Sequence, residues 1–168
     1  MTATLRADAR RNLDRLLEAA SECFAEHGVD ASIDEIARRA GIGHGTVFRR
    51  FPTKEALLAA VVLERVRELT AAAESGAEAE DPGAAFDRFF RHAVETYTRN
   101  RELVEGFGSC IETEEVAALK AAVRRLVRRA QQAGALRRDV TADDVMELVP
   151  AASRHPDVIL DGLRPPSR

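Results

Sequence analysis

Cysteine is scarce in this chain, and the two present, Cys23 and Cys110, lie far apart in 168 residues with no CxxC spacing. That argues against a disulfide scaffold and against a structural zinc site. Long apolar runs are also missing. Charged residues make up 32% of the chain and interrupt each run, so none reaches the roughly 18 to 20 residues that cross a bilayer. The opening MTATLRADARRNLDR has no apolar signal core. The expectation is a soluble, cytoplasmic protein that makes no membrane contact. Catalytic motifs are absent too, with no HExxH, GxSxG or phosphate loop. Cys23 with His27, and His92 with Cys110, are the pairs an enzyme would use. Yet Cys23 falls on an apolar helical stripe, and His27 falls in a last turn where a partial positive charge suits the helix dipole. The chain is expected not to be an enzyme, with no catalytic residue, no metal and no cofactor.

Apolar residues make up 45% of the chain, enough for one globular domain or two small ones and too many for a disordered one. The net charge of −3 on its face discourages a nucleic-acid partner, since phosphate binding is driven by lysine and arginine. Position changes that inference. From Ile36 to Lys54 there are five basic residues (Arg38, Arg39, Arg49, Arg50, Lys54) and no acid, whereas Glu55 to Arg168 carries 16 basic and 20 acidic residues. A basic face thus sits on an acidic body.

Period-2 alternation is nearly absent and alanine is abundant, so the chain reads as all-α. Apolar residues at Leu13, Leu16, Leu17, Ala20, Cys23 and Phe24 predict a first helix over roughly Arg10 to His27, ended by Gly28. Residues 1–9 are expected to form a flexible arm whose Arg6, with Arg10 and Arg11, can add DNA contacts. Ser32-Ile33-Asp34-Glu35 has the form of a capping box opening a short helix that Gly41 closes. A second short helix is expected from Gly45 to about Phe51, stopped by Pro52. Thr53 caps a long helix running towards Ala73. The small and acidic stretch from Glu74 to Gly83 reads as a linker.

Beyond the linker, Phe86, Phe89, Phe90, Ala93, Val94 and Tyr97 repeat at helical spacing. So do Val116, Leu119, Val123, Leu126, Val127 and Ala130, up to Gly134. Arg101 to Cys110 is short and broken by glycine. Thr141 caps a later helix marked by Pro150, and Val158-Ile159-Leu160 forms a last short apolar piece.

Ser32 to Phe51 therefore arranges helix, glycine turn and helix, with basic residues on and around the second helix. That is the layout of a helix-turn-helix, whose second helix enters the major groove. The stretch SIDEIARRAGIGHGTVFRRFPTKEALL, with FAEHG before it, resembles the N-terminal domain of the TetR family of transcriptional regulators. The resemblance covers about residues 10 to 60 and is densest from Gly45 to Glu55. It implies an N-terminal three-helix DNA-binding domain over residues 10–55, with its helix-turn-helix at 32–51, and a helical regulatory and dimerisation domain over 56–168.

The expected DNA-binding residues are Arg38, Gly43, His44, Gly45, Thr46, Phe48, Arg49, Arg50 and Lys54. Gly45 lets the helix start approach the DNA backbone, and Thr46 brings a hydroxyl to an end where amides favour phosphate. Val47 and Phe51 are expected to point inward. His44, Arg49 and Arg50 are candidates for base edges or phosphates, and Lys54 resembles the family's phosphate-binding lysine. Arg38 and Arg39 are either phosphate contacts or solvent-facing helix ends. Phe48 stands where family members most often carry tyrosine, so the aromatic ring is kept without the hydroxyl that would bond a phosphate.

For the second half, the resemblance implies a small-molecule effector held between helices and a homodimer built on the last two helices. Phe86, Phe89, Phe90, Tyr97, Phe107, Cys110 and Met146 are the candidate pocket, suited to an apolar or aromatic ligand. The opposing reading is that the phenylalanine stripe is plain core. Thr141 to Leu163 holds only 23 residues, short for two bundle helices in this family. The function expected is a repressor bound to a palindromic operator in double-stranded DNA and released by its effector. The alternative is a ligand- or protein-binding helical module of the same fold that no longer binds DNA.

Overall fold

The computed structural model describes residues 2–107 and 113–166. Among the described residues there are nine helices and no strand, so the all-α reading holds. The helices are α1 (Thr2–His27), α2 (Ile33–Ala40), α3 (His44–Arg50), α4 (Lys54–Ala77), α5 (Pro82–Arg99), α6 (Arg101–Phe107), α7 (Glu114–Gln132), α8 (Ala142–Ala151) and α9 (Pro156–Leu163). A 3-10 turn at Gly28–Asp30 follows α1.

Two boundaries differ from the sequence reading. Helix α1 starts at Thr2, so residues assigned to a flexible arm are helical. Ala7 to Asn12 are all exposed, and periodicity cannot report a turn with no buried face. Its alanine, leucine and arginine are good helix formers in any case. Helix α4 runs on to Ala77, which leaves 78–81 as the connection to α5. Small residues there mark close packing: a Cβ on buried Gly76 would stand 3.2 Å from Leu126 Cδ1 of α7.

The chain forms two compact units: Met1–Glu64 with Asn100–Cys110, and Arg65–Arg99 with Ile111–Arg168. The division between them falls inside α4. In the first unit the core is Leu16, Leu17, Ala20, Cys23 and Phe24 of α1, Ile36 and Ala37 of α2, Val47 of α3, Leu57, Leu58, Val61 and Val62 of α4, and Leu103 of α6. In the second, Phe86, Phe89, Phe90, Ala93 and Val94 of α5 cluster with Leu119, Val123, Leu126 and Val127 of α7, Val145 of α8 and Leu160 of α9. No described helix is long and apolar enough to cross a membrane.

Helix α8 is capped as expected. The Thr141 hydroxyl oxygen accepts from Asp144 N–H at 3.1 Å, and the Asp144 carboxylate accepts from Thr141 N–H at 2.8 Å. Pro150 sits in the last turn of α8. Helices α8 and α9 are 10 and 8 residues long, the short closing region expected from the sequence.

Candidate nucleic-acid interface

The reading element begins at Ser32. Its hydroxyl caps α2, but it accepts from Asp34 N–H at 3.2 Å rather than from Glu35. The expected capping box does not form. The Glu35 carboxylate is instead forked on Arg38, at 2.9 Å from Nε and 2.7 Å from Nη2. A paired, charge-assisted bond of this kind outcompetes a single bond back to a backbone amide.

Helix α2 buries Ile36, Ala37 and Ala40 and ends at Gly41. There φ is +66°, in the left-handed region that favours glycine. Gly41 N–H reaches Arg38 O at 3.1 Å, and Ile42 N–H reaches Ala37 O at 3.0 Å, which closes the last turn and redirects the chain. Gly43 then leads into α3, with Thr46 N–H on Gly43 O at 2.8 Å.

Seven residues are too few to hold a helix in water on their own, so α3 depends on its anchors. Val47 is fully buried and Phe51, which follows the helix, is nearly so. Phe51 N–H closes on Val47 O at 2.8 Å. Both point inward as expected. Every other residue of α3 (His44, Gly45, Thr46, Phe48, Arg49 and Arg50) is exposed. Nothing lies within 4 Å of where a Cβ would stand on Gly45, so no packing within the chain calls for glycine there. Thr53 caps α4 by accepting from Ala56 N–H at 3.2 Å, which sets half-buried Lys54 in the first turn of α4.

The charges on this face divide into two groups. Arg39 is forked on Glu26 of α1, with both contacts at 2.9 Å, and also reaches Glu35 at 3.4 Å. Bonding to Arg39 holds the Glu26 carboxyl below its usual range, and Arg38 does the same for Glu35. Arg38 remains exposed, but it shares its charge with Glu35. The acid-free window from Ile36 to Lys54 thus has two of its five cations neutralised by glutamates just outside it. Arg49, Arg50 and Lys54 have no ion-pair partner among the described residues; Arg49 Nη2 donates to Thr46 Oγ1 at 3.2 Å. These three carry the positive charge the face presents.

His44 is held on two sides. Its Nδ1 pairs with the Asp34 carboxylate, and its ring lies 4.5 Å from the Phe48 ring, tilted by 35°. Asp34 was missed by sequence reading because it lies outside the basic window and ten positions from its partner. Cys23 is buried, and that burial pushes its thiol up, keeping it protonated. His27 is exposed and lies 3.6 Å from Glu26. The two are apart in environment, one in the core and one in solvent.

The candidate pocket residues fare differently. Phe86, Phe89 and Phe90 are buried within the second unit's core, and Phe86 stacks on Phe90 with ring centroids 6.2 Å apart. Tyr97 and Met146 are half-buried against the same cluster. Phe107 ends α6, and Cys110 lies outside the described residues.

The fold and the exposed α3 define a helix-turn-helix DNA-binding regulator. The model of the bacterial regulatory proteins of the tetR family matches residues 16–61, and that of the SbtR-like transcriptional regulator C-terminal domain matches residues 81–165. The chain belongs to the TetR family. It is similar to the crystal structure of a TetR transcription regulatory protein from Mycobacterium vanbaalenii at 41% identity, with a TM-score of 0.80 over 96% of this chain and 99% of that one. A TetR transcriptional regulator from Streptomyces coelicolor aligns with a TM-score of 0.74 at 28% identity, over 92% and 99% of the two chains. An HTH-type transcriptional repressor of Mycobacterium tuberculosis is 43% identical over 77 residues, which are 45% of this chain and 41% of that one. The match therefore spans less than half the length of this curated relative.

Proposed function

We propose that this protein represses transcription as a homodimer bound to a palindromic operator, and that a small apolar or aromatic effector releases it. The observation that carries the DNA-binding part is α3 itself: a short helix fixed by Val47 and Phe51, with every other side chain exposed and Arg49, Arg50 and Lys54 unpaired among the described residues. The DNA-contacting set is Arg38, Gly43, His44, Gly45, Thr46, Phe48, Arg49, Arg50 and Lys54, with Arg38 the weakest member because Glu35 already neutralises it.

Repression follows the relative from Mycobacterium tuberculosis, whose name states that role. Dimerisation suits a reader this small, because joining two half-site contacts multiplies affinity. Helices α8 and α9 supply the surface, with Val158 exposed and Leu148 and Ile159 half-buried. The effector enters beside Tyr97 and Met146, the half-buried members of the aromatic set, since the three phenylalanines are spent on packing.

A mobility-shift assay on the DNA around the protein's own gene tests the reading. A specific shift at moderate salt is expected for the wild type, and none for the triple variant Arg49→Ala, Arg50→Ala, Lys54→Ala. No specific shift from either protein would instead fit a helical module that no longer binds DNA, and an equal shift from both would contradict the role given to these three side chains.

A further inference from the structure

Away from the reading face, α7 carries a second basic window. Val116 to Gln132 holds five basic residues and no acid. Two of the five are occupied: Arg125 pairs with Glu74 at 2.9 Å, and Arg129 donates to Ala77 O at 3.1 Å and Ala79 O at 3.4 Å. Lys120, Arg124 and Arg128 are exposed and have no ion-pair or hydrogen-bond partner among the described residues. They fall at i, i+4 and i+8, so they form one row with a step of about 6 Å. Like charges in that register destabilise a helix, and the row stands in a half of the chain where acids outnumber bases.

Two anionic surfaces fit this row badly. A DNA duplex presses on more than one row of a helix, and here it would also meet Glu74, which borders the row on Arg125 with its side chain 54% exposed. A membrane surface takes up a basic helix that also offers large apolar groups, whereas the exposed neighbours of these cations include Ala117 and Ala121.

What fits is a single row of carboxylates at the same step, and the chain carries one. Asp14, Glu18 and Glu22 lie at i, i+4 and i+8 on α1, all exposed. Glu26, next in that row, is forked on Arg39. Glu22 stands 4.0 Å from the same guanidinium and keeps its side chain 55% exposed.

We propose that the α7 row of one copy docks on the α1 row of a second copy, with Lys120, Arg124 and Arg128 against Asp14, Glu18 and Glu22. The two surfaces differ, so the contact is heterologous: each copy offers one row to each of two neighbours. It is separate from the α8 and α9 surface assigned to the homodimer, and it forms without DNA.

Sedimentation velocity of the full chain at high protein concentration tests the pairing, with circular dichroism to confirm the helix content of each variant. The wild type should form species larger than its high-salt form at ~0.01 M salt, where the screening length is about 30 Å, and lose them at ~1 M, where it is about 3 Å. Two charge-reversed triples decide the surfaces. Lys120→Glu, Arg124→Glu, Arg128→Glu makes both rows acidic, and Asp14→Lys, Glu18→Lys, Glu22→Lys makes both basic. Each alone should keep the high-salt size at low salt. Mixed one to one, they should recover the large species, because each supplies the row the other lacks. A control with the same net charge as the basic triple, Asp30→Lys, Glu78→Lys, Glu80→Lys, should not rescue the acidic one.

A wild type of one size at both salts would overturn the proposal. So would triples that associate as the wild type does, or a rescue that the control matches, which would reduce the effect to net charge. Association lost on reversing the α7 row but unchanged on reversing the α1 row would overturn the choice of Asp14, Glu18 and Glu22 as its partner.

Discussion

The Ser21 hydroxyl of α1 donates to Oδ1 of Asn100, just ahead of α6, at 3.2 Å, and both side chains are buried. Among the described residues they are the buried polar ones, in a core otherwise built from aliphatic and aromatic groups. Buried polar atoms keep their cost low only while partnered, and losing one intramolecular hydrogen bond costs roughly 0.5 to 1.5 kcal/mol. Ser21→Ala should lower unfolding stability by that amount in urea titration. Ser21→Ala with Asn100→Ala should fall short of the sum of the single effects, because the pair is coupled.

The fork between Arg39 and Glu26 makes a pH prediction. Glu26 has its folded-state value lowered, first by its bond to Arg39. A carboxylate lowered on folding stabilises the protein above its unfolded value, about 4.3, and that contribution fades as pH falls through the folded value. Glu26→Gln should therefore melt below the wild type near neutral pH, with the gap closing as the buffer is taken from about pH 5 towards pH 3. A gap that widens on acidification would contradict the assignment.

Salt dependence separates the free cations from the paired ones. Removing a side chain that neutralises one phosphate should flatten the slope of log affinity against log salt by about 0.9. Lys54→Ala should do so, as should whichever of Arg49 and Arg50 meets the backbone, while Arg39→Ala should leave the slope nearly unchanged. An arginine that reads guanine instead would keep most of the slope and relax base preference by ~1 to 3 kcal/mol when replaced.

Phe90 distinguishes packing from a ligand site. It is fully buried in a cluster shared by α5, α7 and α8. Phe90→Ala should cost about 3 to 5 kcal/mol without any ligand present, as core truncations do. A near-neutral change in unfolding stability would point to a hollow at that position.

Caps offer a finer comparison. Thr141 and Asp144 bond reciprocally, whereas Ser32 makes one bond because Glu35 is drawn to Arg38. Thr141→Ala should cost about 1 kcal/mol, and Ser32→Ala less, when both are followed by thermal melts.

Much of this was legible in the chain. The helix-turn-helix, the inward Val47 and Phe51, the Thr53 and Thr141 caps and the buried Cys23 all follow from local rules: spacing, breakers and capping chemistry. What could not be read depends on side chains meeting across helices. Glu26 takes Arg39 from 13 positions away, so a charge count confined to residues 36–54 overstates the free positive face. Glu35 had two possible partners, and the arginine three residues on won. Asp34 lies ten positions from His44, a separation with no sequence signature when a turn intervenes. The phenylalanine stripe shows the converse limit: periodicity identifies a buried face without telling whether protein or ligand covers it, and here α7 and α8 cover it.

The central claim is that the exposed face of α3 reads DNA sequence. The most direct measurement is the affinity of the full-length protein for its preferred duplex and for a scrambled duplex of equal length, at one fixed salt concentration near 0.15 M. The account predicts binding to the preferred duplex at least ~10³-fold tighter, with that ratio collapsing in the Arg49→Ala, Arg50→Ala, Lys54→Ala variant. Equal affinity for both duplexes would contradict it.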